Sequence, residues 1–235
     1  MTFTVVIPTL NEARVIEKTL VFTSRLGFES IIVVDGGSSD ETRSLVESAA
    51  ARPCDRVSGP VRLLSSAAGR ARQMNAGAAA STTDVLVFLH ADSQLPARAR
   101  SLLEHALADP AVVGGRFDIR FDRPSVWARI ISAFMNARSR LTRISTGDQA
   151  MFVRRQIFEQ MGGFSDIPIM EDVDFSRRLK RIGPTAAIRE RVTTSFRRWD
   201  RQGALATILL MWSLRLLYWI GVSPQRLAQL YAAVR

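Results

Sequence analysis

The chain has 235 residues, of which 47% are hydrophobic, and it carries a formal net charge of +10. This length and apolar content exclude a disordered chain and predict one large domain with a C-terminal appendage. The single cysteine, Cys54, excludes an internal disulfide framework and a cysteine-based zinc site. All basic residues except Lys18 and Lys180 are arginines spread along the whole chain. We therefore expect no nucleic-acid partner, and favour phosphorylated small molecules or an anionic membrane surface.

Four short apolar runs in the first 110 residues are typical of strands. They are rich in Val, Ile and Leu without alternation, as expected for parallel strands covered on both faces. The runs begin at Phe3, Ser30, Val61 and Asp84. Between them, Ser38 to Glu41 has the pattern of a capping box, and Gly69 to Ala80 and Pro96 to Ala108 have helical character. This alternation predicts an α/β fold with a mostly parallel central sheet flanked by helices.

The second half of the chain alternates less regularly. VVGGRFDIRFD, from Val112, predicts a half-exposed strand, and Trp127 to Arg140 predicts a helix. QAMFV followed by RRQIFEQMGG indicates a strand and a short helix. EDVDFSRRLKRIG begins with acids and ends with basic residues before a glycine, which fits the helix dipole and a glycine stop. We predict a domain over residues 1–200, with halves 1–110 and 111–200, and a C-terminal helical appendage over 201–235.

The segment from Ala204 to Val222 is apolar except for Arg215. It nearly has the length of a membrane span, but an arginine near the centre of such a helix costs about 2.5 to 3.5 kcal/mol. The interpretations are a helix at a bilayer surface, a homodimer interface, a true span, or ordinary core. The N-terminal sequence MTFTVVIPTLNE lacks the features of a secretory signal peptide. We expect a cytoplasmic protein that associates peripherally with the inner face of the cell membrane.

Polar residues follow three of the predicted strands. In an open parallel sheet, ligands bind beyond the carboxyl ends of the strands. The segments at those ends are Pro8 to Glu12, Asp35 to Gly37, and His90 to Asp92. Neither the dinucleotide-binding fingerprint nor the P-loop is present. Asp35 is suited to accept hydrogen bonds from a nucleobase or a ribose hydroxyl; the alternative is an aspartate that caps a turn.

Two further groups of residues have the chemistry of a catalytic site. In FLHADSQLP, Asp92 supplies a hard oxygen, His90 a ring nitrogen acceptable to manganese, and Gln94 a carbonyl oxygen. The alternative is a solvated loop, because H-x-D is common by chance. Glu171 and Asp172 open a predicted helix and supply a carboxylate that could serve as a general base; the alternative is acids that only complement the helix dipole.

Seven segments, taken in order, resemble the family 2 glycosyltransferases with the GT-A fold, from about Thr4 to Trp199. They are VVIPTLNE, VVDGGSSDET, GRARQMNAGA, FLHADS, GDQAMFVRR, MEDVDFSRRL and RRW. The resemblance implies the Rossmann-like nucleotide-diphospho-sugar transferase fold. It also implies inverting transfer of a hexose from a UDP- or GDP-linked donor to an acceptor hydroxyl, with Mn²⁺ or Mg²⁺ as cofactor. The chain is most similar to short stand-alone bacterial members, for some of which carotenoid or lipid acceptors are assigned.

The same resemblance implies a role for individual residues. Asp172 matches the catalytic base, with Glu171 beside it, and Asp92 matches the second carboxylate of the metal-binding DxD motif. The positions matching the nucleotide site are Pro8, Thr9, Glu12, Asp35, Arg70 and Asp92. The positions matching the acceptor or diphosphate side are Gly147, Asp148, Gln149, Arg198 and Trp199.

Two residues depart from the family pattern, and two other functions remain as alternatives. Leu10 stands where many relatives carry Tyr, so the identity of the donor's nucleobase is not implied by the resemblance. His90 replaces the first Asp of DxD, which predicts weaker Mg²⁺ binding and a relative preference for Mn²⁺. The alternative functions are a nucleotidyltransferase and a non-catalytic nucleotide-sugar-binding protein at a membrane surface.

Overall fold

A single eight-stranded mixed sheet organises the chain. The computed structural model describes residues 1–51, 59–197, 199 and 203–234. The strands are β1 (Phe3–Thr9), β2 (Ser30–Asp35), β3 (Val61–Ser65), β4 (Val85–Phe88), β5 (Ser93–Gln94), β6 (Gly114–Phe121), β7 (Met151–Arg154) and β8 (Thr185–Thr194). Their order in the sheet is β3-β2-β1-β4-β7-β6-β8-β5.

Helices lie on both faces of this sheet. They are α1 (Ala13–Thr23), α2 (Thr42–Ala50), α3 (Arg70–Ala79), α4 (Ala99–Ala106), α5 (Val126–Thr142), α6 (Arg155–Gln160), α7 (Glu171–Ile182), α8 (Ala204–Trp219) and α9 (Pro224–Val234). A 3₁₀ turn spans Gly147–Gln149 and is called the GDQ turn below. One buried cluster joins the sheet to α1, α2 and α4, and a second joins it to α3, α6 and α7. The predicted α/β fold is therefore confirmed.

The parallel part of the sheet is the part that the sequence predicted most directly. β1 lies between β2 and β4 and is parallel to both, and β2 is parallel to β3. Thr9 at the end of β1 stands opposite Asp35 at the end of β2. The carboxyl ends of these strands thus meet at one edge, where a ligand is expected in such a sheet.

Several local predictions were wrong. The predicted capping box at Ser38 does not form, because Ser38 donates to Asp35 and α2 begins only at Thr42, where the Asp40 carboxylate accepts from the Thr42 amide at 3.0 Å. β6 is buried over most of its length because α5 covers it, so it is not half-exposed. α7 stops before Gly183 as predicted, but this glycine has an extended backbone. A Cβ there would lie 2.7 Å from Val113 Cγ1, so close packing explains the glycine.

The C-terminal pair α8 and α9 packs near the start of α7. Leu214 of α8 and Leu227 of α9 are buried together with Met170, the residue before α7. In the described part of the chain, no helix combines the length and the apolar character needed to cross a bilayer. Cys54 and Arg198 lie outside the described residues.

Candidate active site

The loops after β1 and β2 form one polar rim. The buried Asp35 carboxylate accepts hydrogen bonds from the Gly37 amide at 3.1 Å and from the Ser38 amide at 3.0 Å, and the Ser38 hydroxyl also donates to it. Ser38 Oγ in turn accepts from the Asn11 amide at 2.9 Å. Asp35 therefore orders the turn, as its alternative interpretation proposed. Its contact with a nucleoside stays a prediction.

Gln73 of α3 holds this rim together, although the sequence did not single it out. Its side-chain amide donates to the carbonyl oxygens of Thr9 at 2.7 Å and Val34 at 2.8 Å. A buried glutamine in the GRARQMN segment ties the helix to the ends of β1 and β2. Pro8 precedes Thr9 within β1, beside Val34 of β2. The signal available in the sequence was a glutamine on the buried face of an alanine-rich helix.

Arg197 joins two of the predicted donor residues. Its Nη2 lies 2.6 Å from Glu12 Oε2 and 3.3 Å from Asp92 Oδ2. Desolvation lowers the pKa of this guanidinium, but the hydrogen bond to Glu12 and the attraction of Glu12 and Asp92 outweigh it and raise the pKa above its ordinary value. Arg197 stays charged between the two acids. Sequence reasoning missed it, although it is the first residue of RRW.

The residues around Asp92 suit a metal ion that takes most of its ligands from the bound substrate and few from the protein. In the described ranges, no group of three His, Cys, Asp or Glu side chains is arranged to hold a cation. Asp92 nevertheless offers one partly exposed carboxylate, and Mg²⁺ in particular is commonly bound by one or two carboxylates together with substrate phosphates. The backbone of Gln94 pairs with Thr193 in the sheet. A metal-binding role for Gln94 stays a prediction.

His90 contacts the GDQ turn. Its Nδ1 lies 3.1 Å from Asp148 Oδ1. Its Nε2 is buried without a hydrogen-bond partner in the part of the chain described, and a Cβ on Gly147 would lie 2.3 Å from it. Only glycine allows this approach of the turn to the ring. The histidine thus links the end of β4 to the predicted acceptor side, and its role as a metal ligand stays a prediction.

Three predicted carboxylates surround Arg70. Its Nη1 lies 3.1 Å from Glu171 Oε1. Desolvation lowers the pKa of Arg70, but attraction to Glu171, Asp172 and Asp148 outweighs it and raises the pKa above its ordinary value. Burial, and after it repulsion by Asp172, raises the pKa of Glu171 above 4.5, with Arg70 opposing. Glu171 is therefore a buried partner of Arg70.

Asp172 is the carboxylate held toward the GDQ turn. Its Oδ2 accepts a hydrogen bond from the Gly147 amide at 2.9 Å, and its Oδ1 accepts from the Val173 amide at 2.7 Å. The structure thus brings Gly147, Asp148 and Asp172 together with Glu171, and their catalytic and acceptor-side roles stay predictions. These contacts fix the carboxylate at the amino end of α7.

Strained backbone marks the same region. Met170, directly before Glu171, has φ 71°, and Ala150, directly after the GDQ turn, has φ 43°. Asn11 in the rim has φ 56°. Positive φ is uncommon for residues other than glycine and often accompanies functional sites, where the surrounding structure holds the strain. The strain here flanks the predicted donor and acceptor segments.

Two residues predicted on the acceptor or diphosphate side have other contacts. Gln149 is fully buried, and its side-chain amide donates to Ser139 Oγ at 2.9 Å, so it anchors the GDQ turn to α5. Trp199 packs its ring against Phe196 and Phe121, with ring centroids 6.2 and 6.0 Å apart. The burial of Gln149 replaces its predicted ligand contact with a structural role, whereas the predicted contact of Trp199 stays a prediction. Arg198, predicted beside Trp199, is outside the described residues.

The sequence matches the family described as Glycosyl transferase family 2 over residues 4–162. The match extends from β1 through α6 and ends before Glu171 and Asp172. No curated protein is significantly similar to the chain in sequence.

Solved structures share the fold. S. aureus TarS 1-349 in complex with UDP-GlcNAc is 13% identical, with a TM-score of 0.65, over 83% of this chain and 58% of that one. Mannosyltransferase PcManGT from Pyrobaculum calidifontis, in complex with GDP-Man and Mn²⁺, is 26% identical, with a TM-score of 0.63, over 82% of this chain and 56% of that one. The chain therefore spans less than two thirds of the length of either structure.

Proposed function

The chain belongs to glycosyl transferase family 2, and from that premise we propose that it transfers a hexose from a nucleoside diphosphate to an acceptor hydroxyl. The observation that carries the proposal is the position of Asp172, fixed by the Gly147 amide beside the Arg70–Glu171 pair. A sugar donor would lie along the rim that contains Asp35, Glu12 and Thr9. Helix α3 connects the two regions, because its Arg70 pairs with Glu171 and its Gln73 donates to Thr9 in the rim.

In the proposed reaction, the acceptor oxygen forms a bond to the anomeric carbon as the bond from that carbon to the diphosphate oxygen breaks. The acceptor proton moves to Asp172, and attack from the face opposite the diphosphate inverts the anomeric centre. Glu171 is a positioning residue, because it is buried against Arg70. Arg70 is proposed to stabilise the negative charge that develops on the leaving diphosphate.

Asp92 is the residue proposed to hold Mn²⁺ or Mg²⁺ together with the donor diphosphate, with His90 and Gln94 as further candidates. A bound divalent cation would supply charge stabilisation to the leaving diphosphate. The complex of PcManGT with GDP-Man and Mn²⁺ supports a divalent metal in this fold. UDP-GlcNAc and GDP-Man in the neighbours support a UDP- or GDP-linked donor here.

The test is transfer by Asp172→Asn, measured with the donor found in a thermal-shift screen of nucleotide sugars with and without Mn²⁺. We expect kcat to fall by about 10²- to 10⁴-fold, the usual contribution of a general base, while the donor still binds. Asp166→Asn is the matched control, because Asp166 is exposed and pairs with Arg72 on the surface. Wild-type kcat in Asp172→Asn would reject the assignment. Pyrophosphate release from a nucleoside triphosphate would instead favour a nucleotidyltransferase.

We also propose that the protein associates with the inner membrane surface. Exposed apolar side chains on α5 and α8 form one region, called the α5–α8 face: Val126, Trp127, Ile130, Phe134, Leu209, Trp212, Leu216 and Trp219. The rings of Phe134 and Trp212 join the two helices, with centroids 5.2 Å apart. Contiguous apolar surface of this kind, with tryptophans and a net charge of +10, suits an anionic bilayer. A lipid-like acceptor would be within reach there.

A further inference from the structure

Two arginines outside the family pattern lie near Asp172. Arg138 of α5 has its Nε and Nη2 atoms buried, and neither has a hydrogen-bond partner among the described residues. Arg215 is the one charged residue of α8, and it forms no hydrogen bond or ion pair within the same part of the chain. A guanidinium carries five N–H donors, so a buried one without acceptors is costly. Neither side chain is used in the reaction proposed above.

The packing of α5 brings Arg138 to the acceptor side. Ser139, its neighbour in the chain, accepts the hydrogen bond from Gln149 in the GDQ turn. Gly147 of that turn donates to Asp172. The two hydrogen bonds, each 2.9 Å long, connect the carboxyl-terminal part of α5 to the carboxylate through three residues of the turn.

The packing of α8 places Arg215 near the start of α7. Leu214, its neighbour in the chain, is buried against Met170. Met170 directly precedes the Glu171–Asp172 pair. Arg215 itself is attracted by Asp172 and by Asp148 of the GDQ turn.

The charges of the two arginines are poorly compensated. Burial, and after it repulsion by Arg215, lowers the pKa of Arg138 to about 10, although Asp172 attracts it. Burial also lowers the pKa of Arg215, against the attraction of Asp172 and Asp148. The nearby acids therefore do not satisfy either guanidinium. Oxygen atoms of a bound anion would supply the missing acceptors and charge together.

We propose that Arg138 and Arg215 bind an anionic group of the acceptor, a phosphate or a carboxylate, next to the hydroxyl that Asp172 deprotonates. The proposal rests on the proposed function, because it needs the acceptor to lie beside Asp172. An anionic acceptor near a carboxylate base would be repelled, and two cations at this position offset the repulsion. The acceptor is thereby a charged hydroxyl compound or a lipid with such a headgroup, and not a neutral carotenoid.

Binding of three small probes tests the anion site. Glycerol 3-phosphate, glycerate and glycerol are titrated calorimetrically into protein saturated with the nucleoside diphosphate that binds best, so that the donor diphosphate site is occupied. We expect one or both of the anionic probes to bind saturably and glycerol not to bind. Arg138→Gln and Arg215→Gln should each weaken anion binding at least about tenfold, as loss of a charge-assisted hydrogen bond does.

Two control variants distinguish loss of the proposed anion site from a general loss of positive charge. Arg129→Gln on α5 and Arg226→Gln on α9 each remove one exposed arginine and should leave anion binding unchanged. Equal binding of glycerol and the anions, or unchanged anion binding in both Arg138→Gln and Arg215→Gln, would overturn the proposal. Failure of wild-type protein to bind any nucleotide would instead count against the proposed function.

Thermal stability distinguishes an anion-binding arginine from a structural one. Without ligands, Arg138→Met should raise Tm by a few degrees, because it replaces an uncompensated buried charge with an apolar side chain of similar length. A structural arginine would show a lower Tm on the same change. Arg138→Lys, which keeps the charge but loses the planar fork, should fold and bind the anionic probes more weakly than wild type.

Discussion

At the scale of single residues, Arg197 places a positive charge between Glu12 and Asp92, where the donor and its metal are proposed to bind. An ion that binds Asp92 must compete with this guanidinium. We expect Arg197→Gln to raise the apparent affinity for Mn²⁺, measured in the presence of nucleotide, by about three- to tenfold. The reason is that a partly exposed ion pair contributes roughly 1 kcal/mol.

Arg14→Gln is the control for Arg197, because Arg14 is an exposed arginine of α1. It should leave Mn²⁺ affinity unchanged. Weaker Mn²⁺ binding in Arg197→Gln would show that Arg197 assists the metal–nucleotide complex and does not compete with it.

Glu171 gives the site a pH dependence. Its pKa is raised by burial above 4.5, so the folded state favours its protonated form. The stability that protonated Glu171 contributes is fully present below its ordinary pKa, which applies to the unfolded chain. It is lost as the pH rises through the raised pKa of the folded state. Glu171→Gln should therefore flatten the decline of unfolding free energy above pH 4.5, measured by urea denaturation across a pH series. Glu159→Gln, at an exposed glutamate paired with Arg155, should keep the wild-type decline; the same decline in Glu171→Gln would contradict the prediction.

At the scale of elements, the GDQ turn connects β4, α5 and α7. His90, Ser139 and Asp172 each contact a different residue of the turn. Gly147→Ala is expected to lower both Tm and kcat, because the new methyl group would lie 2.3 Å from His90 Nε2 and push the Gly147 amide away from Asp172. Thermal denaturation and the transfer assay measure the two effects.

The double variant His90→Ala with Gly147→Ala is the control for this clash. Removing the ring makes space for the methyl group, so the double variant should be more stable than Gly147→Ala alone. If the stability loss of the double variant equals the sum of the losses in His90→Ala and Gly147→Ala, the approach of His90 to the turn is not what requires glycine.

The elements differ in how far the sequence predicted them. β1, β2 and β4 were predicted because continuous Val, Ile and Leu runs are what parallel strands buried on both faces need. β8 was not predicted, because RERVTT within it has no apolar run and its pairing with β6 depends on residues about 70 positions away. β5 has two residues, too short for any periodicity.

At the scale of the whole molecule, the α5–α8 face is the surface through which we propose that the protein binds a membrane. Its residues are separated in sequence and meet because α8 packs beside α5. Replacing Leu209, Leu216 and Trp219 together with Gln should reduce co-sedimentation with anionic vesicles at least about tenfold, since each buried apolar side chain contributes roughly 1.5 to 3 kcal/mol. All three are exposed, so the fold should be retained.

Phe22→Gln is the control for the α5–α8 face, because Phe22 is an exposed aromatic residue on α1. It should not change vesicle binding. If the triple variant loses a dimer in size-exclusion chromatography and keeps its vesicle binding, the face is a subunit interface and the membrane proposal is wrong.

The sequence by itself determined the α/β fold and the family, and it singled out the carboxylates at the end of β2, after β4 and at the start of α7. These are local signals, because an apolar run and the polar residues that follow it are adjacent in the chain. Only the tertiary structure decided that Arg197 lies between Glu12 and Asp92, and that Arg138 and Arg215 both lie close enough to Asp172 to be attracted by it. The physical reason is that the pairing of charges depends on which helices pack together. No spacing in the sequence encodes that the arginine of an apolar helix lies near Asp172 of α7 and Asp148 of the GDQ turn.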